Sequence, residues 1–276
     1  MPRAGRGQAE RDTAPDLTSV LLASIDTASE RLLLRIVRAI ATRALLDSGW
    51  TPLHAACAVT PSGAICLVGG HRSGKTTALL GLLATGRGRT GFLANNAVFL
   101  MPGDDEVRIR GLPTAAAIRP PTLRMFRELT TVAETSSPAG GLAGGSGAGR
   151  TDDRPTLTPR QLAEAFSAPL IPCTPLAALI AVNFDPQSNG VPWQSRWKAA
   201  TGPHARQLCR AAYLTDWLAD DPHELARLTV DAHVLRQRHT DVLDTVTRQV
   251  PCADFRSAPG TDTGDELLQV LAALQG

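Results

Sequence analysis

Apolar residues follow two different spacings along this chain, and the spacing changes several times after residue 50. In residues 29–46 they recur every three to four positions, which predicts an amphipathic helix that ends near Gly49. Two short apolar runs, 53–60 and 64–68, then flank the turn residues 61–63 (Pro-Ser-Gly) and predict a hairpin. The chain is therefore expected to pass from a helix into a β-sheet.

The rest of the chain alternates between strand-like and helix-like segments. Strands are predicted at 91–94, 98–101, 107–110, 114–118, 176–182 and 250–255, and helices at 75–85, 121–129, from 158 onward, at 205–218, at 223–246 in broken form and at 262–274. Strands that alternate with helices in this way predict an α/β fold, with one main sheet flanked by helices.

Composition divides the chain into four segments. Residues 1–50 are a tail and a helix, 51–132 are the core, 133–155 are a flexible loop, and 156–276 continue the same α/β domain. The loop contains the low-complexity stretch AGGLAGGSGAG (139–149), which has too little apolar surface to offset the entropy lost on ordering. We therefore expect this segment to be mobile.

The most specific signal is the motif G-x-x-x-x-G-K-[ST], matched by Gly69, Gly74, Lys75 and Thr76. Glycines let backbone N–H groups cradle a phosphate, the lysine reaches the β- and γ-phosphate oxygens, and the threonine hydroxyl binds Mg²⁺. Gly70, His71, Arg72, Ser73 and Thr77 complete the predicted phosphate site. An apolar strand precedes the motif and an Ala/Leu-rich helix follows it, which is the context that this P-loop motif requires. The sequence therefore predicts a site for ATP, or another nucleoside triphosphate, with Mg²⁺.

Composition narrows the class of protein and the ligands that it is expected to bind. Of 28 basic residues only Lys75 and Lys198 are lysines, so a lysine in the motif is conspicuous. The net charge is +2 without a long run of one sign, so we expect no nucleic-acid partner. We also expect no membrane association, because no apolar run approaches the roughly 20 residues of a span. Five scattered cysteines and the lack of a signal-peptide pattern favour the cytoplasm, and a homo-oligomer stays open.

A triphosphate site also needs a carboxylate that holds Mg²⁺ or activates the nucleophile. The strand after the motif ends in Asn95-Asn96, where an acid is expected. Asp185 follows the apolar run 179–182 and is a candidate substitute, although the Asp-Pro sequence and the Ser-Asn-Gly behind it are also typical of a turn. Both interpretations of Asp185 stay open.

Three stretches together resemble the core of HPr kinase/phosphorylase and its relatives: 53–56 (Leu-His-Ala-Ala), the P-loop motif, and 92–98 (Phe-Leu-Ala-Asn-Asn-Ala-Val). In that family a histidine lies on the strand before the P-loop, and an acidic pair ends the next strand. The resemblance covers roughly residues 50–120 and is closest to shorter actinobacterial relatives, whose Gly-x-Pro-Thr segment would be 111–114 here. It implies that His54 lies near the transferred phosphate and that Asn95 and Asn96 occupy the acidic positions.

The asparagines separate three functional hypotheses, because an amide oxygen is a weak Mg²⁺ ligand and cannot act as a general base. The first is a kinase that transfers phosphate to a hydroxyl of a peptide, protein or small molecule, with His54 or Asp185 orienting or deprotonating the acceptor. The resemblance places such kinases in bacterial peptide-modification pathways. The second is a pseudokinase that binds nucleotide as a scaffold or sensor. The third is an enzyme in which the asparagine pair serves a different nucleophile or nucleotide.

Overall fold

The computed structural model describes residues 27–136, 155–188, 191–210, 212, 232–258 and 262–276. Helices are α1 (Thr27–Asp47), α2 (Lys75–Thr85), α3 (Pro120–Met125), α4 (Arg127–Ser136), α5 (Pro159–Ala165), α6 (Gly202–Arg210), α7 (Ala232–Gln249) and α8 (Thr263–Gln275). Strands are β1 (Thr51–His54), β2 (Ala56–Thr60), β3 (Gly63–Val68), β4 (Gly91–Ala94), β5 (Ala97–Pro102), β6 (Val107–Gly111), β7 (Ala116–Ala117), β8 (Thr156–Leu157), β9 (Cys173–Phe184), β10 (Trp197–Ala200) and β11 (Cys252–Ser257).

Nine of these strands form one mixed sheet, in which the order β1-β5-β6-β9-β3-β2-β4 is extended by β11 and β10 beside β9. Strands β3, β9 and β11 are mutually parallel, and β2 runs antiparallel to both β3 and β4. Strand β4 therefore points in the same direction as β3. As a result, the carboxyl ends of β3, β4, β9 and β11 meet at one edge of the sheet.

Helices cover both faces of the sheet, so the predicted α/β class is confirmed. On one face α2 and α8 join a core that includes Leu79, Phe92 and Phe255, and on the other face residues of α6 and α7 pack against the sheet. Helices α2 and α8 cross closely, because Gly81 and Gly264 face each other and the backbone of one leaves no room for a Cβ on the other. This crossing fixes the position of α2, whose first turn contains the last two residues of the P-loop motif.

Several predicted boundaries were wrong, for reasons of pairing and backbone conformation. The run 53–60 is split at Ala55, because β1 pairs with β5 whereas β2 pairs with β3 and β4. The predicted helix 121–129 is two helices, α3 and α4, separated by the extended backbone of Phe126. Only Ala116–Ala117 of the predicted strand 114–118 is a strand, and it pairs with β8.

Towards the C-terminus, β9 extends beyond the predicted 176–182 at both ends, and β10 was not predicted. The two predicted helices at 205–218 and 223–246 correspond to α6 and α7 only within the described residues. Residues 1–26 of the predicted tail and helix, and the low-complexity stretch 139–149 of the predicted flexible loop, lie outside the described residues.

Candidate functional site

The loop between β3 and α2 (residues 69–74, here called the glycine-rich loop) turns sharply at the carboxyl edge of the sheet. Its backbone is left-handed at Arg72 (φ 64°) and Gly74 (φ 95°), and Gly69 has φ 148°. A Cβ on Gly69 would lie 2.6 Å from the carbonyl oxygen of Val182, so only glycine fits against β9 at this position. Glycines thus allow the loop to curl tightly over the end of the sheet.

Ser73 and the backbone of the first turn of α2 provide hydrogen-bond donors that a ligand in the loop could use. Gly74 caps α2 without a side chain, so the cap leaves the N–H groups of the first turn without a side-chain acceptor. The Ser73 hydroxyl is buried and has no hydrogen-bond partner among the described residues. Donors of this kind at a helix N-terminus are suited to an anion.

Lys75 is a buried cation without an acidic partner. Its Nζ donates hydrogen bonds to the carbonyl oxygens of Gly69 (2.8 Å) and Gly70 (2.9 Å), and the residue is only 8% exposed. No carboxylate in the described part of the chain lies within ion-pair distance of it. Burial lowers the pKa of Lys75 to about 8, because desolvation disfavours the charged ammonium. An anion bound in the loop would stabilise the charged ammonium, which burial destabilises.

The end of β4 is linked to the first turn of α2, directly after the loop, by one hydrogen bond. The hydroxyl of Thr76 donates to Oδ1 of Asn95 over 3.2 Å, and Asn95 is buried. Asn96 donates through Nδ2 to the hydroxyl of Thr114 over 3.1 Å, so the Gly-Leu-Pro-Thr segment packs against the asparagine pair. The structure therefore brings Asn95 beside Thr76 and leaves this strand end without a charge.

His54, at the end of β1, completes this side of the site. It is half-buried, and its ring forms a hydrogen bond with the backbone of Asn96. Burial lowers the pKa of His54, the positive charges of Lys75 and His71 lower it further, and the bond to Asn96 opposes them. Burial thus favours the neutral form of the His54 imidazole, which lies close enough to Lys75 to be influenced by its charge. The side chains of His71 and Arg72 are exposed.

Thr77 lies on the flank of α2 that faces α3. Its hydroxyl is 3.1 Å from the hydroxyl of Thr122, so the two helices are linked beside the loop. The sequence interpretation placed Thr77 in the phosphate site but gave no sign of Thr122, since a threonine after two prolines has no distinguishing pattern.

Asp185 lies at the end of β9, on the other side of β3 from Asn95. Its carboxylate accepts hydrogen bonds from the N–H of Gln187 and the hydroxyl of Ser188, each over 3.0 Å. Its own N–H donates to the carbonyl oxygen of Ser257 over 2.8 Å. Asp185 thus stabilises the turn that follows β9, which is the structural interpretation of its Asp-Pro sequence.

The described residues contain no group of three or more His, Cys, Asp or Glu side chains that could hold a metal ion. None of the helices within them is long and apolar enough to cross a membrane.

Comparisons with known proteins give a structural likeness and no match to a family or a curated protein. No protein-family model matches the chain, and no curated protein matches it. Among solved structures, the chain is similar to the Hpr(Ser) kinase/phosphatase from Coxiella burnetii, at 11% identity over 81% of this chain and 89% of that one, with a TM-score of 0.37. Because a TM-score this low gives no basis for assigning a function, we infer the function from the geometry of the site.

Proposed function

We propose that this protein is a phosphotransferase of the kinase type, which binds ATP or another nucleoside triphosphate with Mg²⁺. The observation that carries the proposal is the buried Lys75 ammonium, whose partners are two carbonyl oxygens of the glycine-rich loop. A triphosphate in the loop would replace these neutral acceptors with charged oxygens, which form stronger hydrogen bonds with an ammonium. The lysine is thus placed to bind an anion that the described residues do not supply.

The surroundings of Lys75 suit phosphate groups in particular. The N–H groups of the loop and of the first turn of α2 would donate to the phosphate oxygens, and the Ser73 hydroxyl is free to join them. These donors, together with the exposed Arg72, would stabilise the charge that develops on the transferring phosphoryl group.

Mg²⁺ fits the oxygen atoms on the β4 side of the loop. The hydroxyl of Thr76 and Oδ1 of Asn95 are adjacent oxygen atoms, although the neutral amide oxygen is a weaker ligand than the carboxylate that this ion usually has. They would hold the ion together with phosphate oxygens and water, since Mg²⁺ usually keeps several of its waters. Bound there, the ion would neutralise charge on the phosphates.

The proposed transfer sends the γ-phosphoryl group to a hydroxyl of a peptide, protein or small molecule. The acceptor oxygen would form a bond to the γ-phosphorus while the bond to the β–γ bridging oxygen breaks, and the nucleoside diphosphate leaves. His54 would orient the acceptor hydroxyl and accept its proton, because a neutral imidazole is a competent base at pH 7. The resemblance to HPr-kinase-like proteins extends the proposal to a bacterial peptide-modification pathway.

A second candidate is a pseudokinase that binds the nucleotide as a scaffold or sensor. The observation in its favour is the uncharged pair Asn95-Asn96, held by Thr76 and Thr114, where a kinase of this type would carry acids. Such a protein would bind the nucleotide through the same loop but transfer nothing.

Nucleotide binding is tested by calorimetry of MgATP with the wild type and Lys75→Ala. The loss of a buried cation that contacts charged oxygens should weaken binding by about 100-fold or more. Lys198→Ala is the matched control, because Lys198 is the other lysine and is exposed on β10. Equal binding by the wild type and Lys75→Ala would exclude the proposed site. Phosphate-release and mass-spectrometric assays with candidate acceptors then separate the two candidates, since the pseudokinase binds without transfer.

A further inference from the structure

One aromatic side chain beside the glycine-rich loop has no partner in the core. All six phenylalanines of the chain lie within the described residues; Phe126 is half-buried, and Phe92, Phe99, Phe166 and Phe255 are fully buried. Phe184 is 49% exposed, although it is the last residue of the central strand β9. An exposed ring at this position leaves apolar surface in water, so a ligand that covers it would gain the free energy of burying that surface.

Phe184 lies on the face of the sheet from which α2 begins. Side chains alternate along a strand, and Val182, two residues earlier, belongs to the core beneath α2. A Cβ placed on Gly74 would lie 3.7 Å from Cγ1 of Val182 and 3.8 Å from the Cβ of Phe184. The Phe184 side chain therefore starts beside the residue at which the loop enters the helix.

Phe184 and the metal-binding side of the loop are on opposite sides of β3. Strand β3 has β2 as one neighbour and β9 as the other, and β4 lies beyond β2. Asn95 and Thr76, which would hold Mg²⁺ beside the terminal phosphates, are on the β4 side. A triphosphate that crosses the loop with its γ-phosphate on that side directs its α-phosphate, and the nucleoside attached to it, towards the end of β9.

We infer that Phe184 is the base-binding residue of the nucleotide site, stacking its ring on the base of the bound triphosphate. The inference rests on the proposed function, because it presumes that the triphosphate occupies the glycine-rich loop. Stacking on an aromatic ring tolerates any base, since every base presents a π face. Phe184 thus contributes affinity for a nucleotide over a bare polyphosphate.

The test compares two ligands that share their phosphates, MgATP and magnesium tripolyphosphate, by calorimetry. In Phe184→Ala, the affinity for MgATP should fall by about tenfold, because one base–aromatic stack is lost. The affinity for tripolyphosphate should stay within about twofold, since the loop and Lys75 are unchanged. Phe184→Tyr keeps the ring and should keep the wild-type affinity for MgATP.

Leu170→Ala serves as the matched control, because Leu170 is equally exposed (50%) but lies beside Phe92 of β4, away from the end of β9. It should bind both ligands like the wild type. Unchanged MgATP affinity in Phe184→Ala would overturn the inference while leaving the proposed function intact. An equal loss for both ligands would overturn it as well, because Phe184 would then support the loop and not the base. A wild type that binds neither ligand would instead refute the proposed function, and the inference with it.

Discussion

At the end of β4 the polar side chains beside the glycine-rich loop are two neutral amides, whereas the end of β9 carries a carboxylate next to an exposed aromatic ring. Asn95 accepts a hydrogen bond from Thr76 in the first turn of α2, and Asn96 donates one to Thr114. Asp185 directs its hydrogen bonds into the turn that follows its strand. The two strand ends therefore differ. The end of β4 contacts the phosphate-binding side of α2 through an uncharged amide, whereas the carboxylate at the end of β9 forms its hydrogen bonds within its own turn.

Because of this difference, Lys75 has no carboxylate partner among the described residues. Neither strand end places a carboxylate beside it, and burial lowers its pKa. A kinase of the usual type has an acid close to its phosphate-binding lysine, which both binds the metal and balances charge. Here the ligand itself would have to balance the charge, so changes at the two strand ends should have unequal effects.

Placing a carboxylate at the β4 end should have the largest effect. We expect Asn96→Asp to slow the transfer of phosphate from MgATP by about 10- to 100-fold, because two like charges a few ångströms apart near a protein surface repel by ~1–4 kcal/mol. Phosphate release and mass spectrometry of acceptors measure the change. Asn96→Ala is the control, since it removes the hydrogen bond to Thr114 without adding charge.

The opposite result at Asn96 would favour the pseudokinase. If the chain has simply lost its acid, the wild type transfers nothing and Asn96→Asp gains activity, by as much as ~10²–10⁴-fold for a restored general base. The sign of the change therefore decides between an enzyme adapted to neutral amides and a protein that has lost catalysis.

The elements around the loop could be predicted from sequence because local signals mark them. A run of apolar residues, two glycines and a helical pattern define β3, the loop and α2, and the motif assigns Lys75 and Thr76 their positions. The end of β4 could also be placed, because Asn95 directly follows a short apolar run. In each case the neighbouring residues in the chain contain the information.

Features that depend on distant pairing could not be predicted. The change of partner at Ala55 interrupts a continuous apolar run, and nothing in that run shows which strand pairs with which half. Strand β10 is short and has exposed residues, and its antiparallel pairing with β11 gives it strand conformation. The exposure of Phe184 likewise follows from what packs nearby, because an apolar residue at the end of an apolar strand is expected to be buried.

The pH dependence of MgATP binding tests the charge of Lys75, which lies between the two strand ends. In the free protein the pKa of Lys75 is about 8, and a bound triphosphate raises it by stabilising the ammonium. Affinity for MgATP should therefore be constant below pH 8 and fall as the pH rises, by about tenfold between pH 7 and pH 9. In the free protein, burial lowers the pKa of His54 from 6.5, so Lys75 is the group expected to lose its proton between pH 7 and pH 9.

Calorimetry in buffers of different ionisation enthalpy measures this effect, since binding above pH 8 should take up one proton. In Asn96→Asp the new carboxylate should raise the pKa of Lys75 and move the inflection to higher pH. An affinity that does not change between pH 7 and pH 9 would show that Lys75 remains fully charged in the free protein, against the effect of its burial.

The smallest effect is expected at the β9 end, from Asp185→Asn. The carboxylate accepts two hydrogen bonds in its own turn, and an amide oxygen can accept the same two from Gln187 and Ser188. Phosphate transfer should therefore stay within about threefold of the wild type, in contrast to the loss of ~10²–10⁴-fold that follows removal of a general base. Asp185→Ala should lower the free energy of unfolding by ~1 kcal/mol in urea titration, because the turn loses both acceptors. If Asp185→Asn abolished transfer while stability and MgATP binding stayed unchanged, Asp185 would be the acid that the β4 end lacks, and the acceptor would have to approach the γ-phosphate from the β9 side.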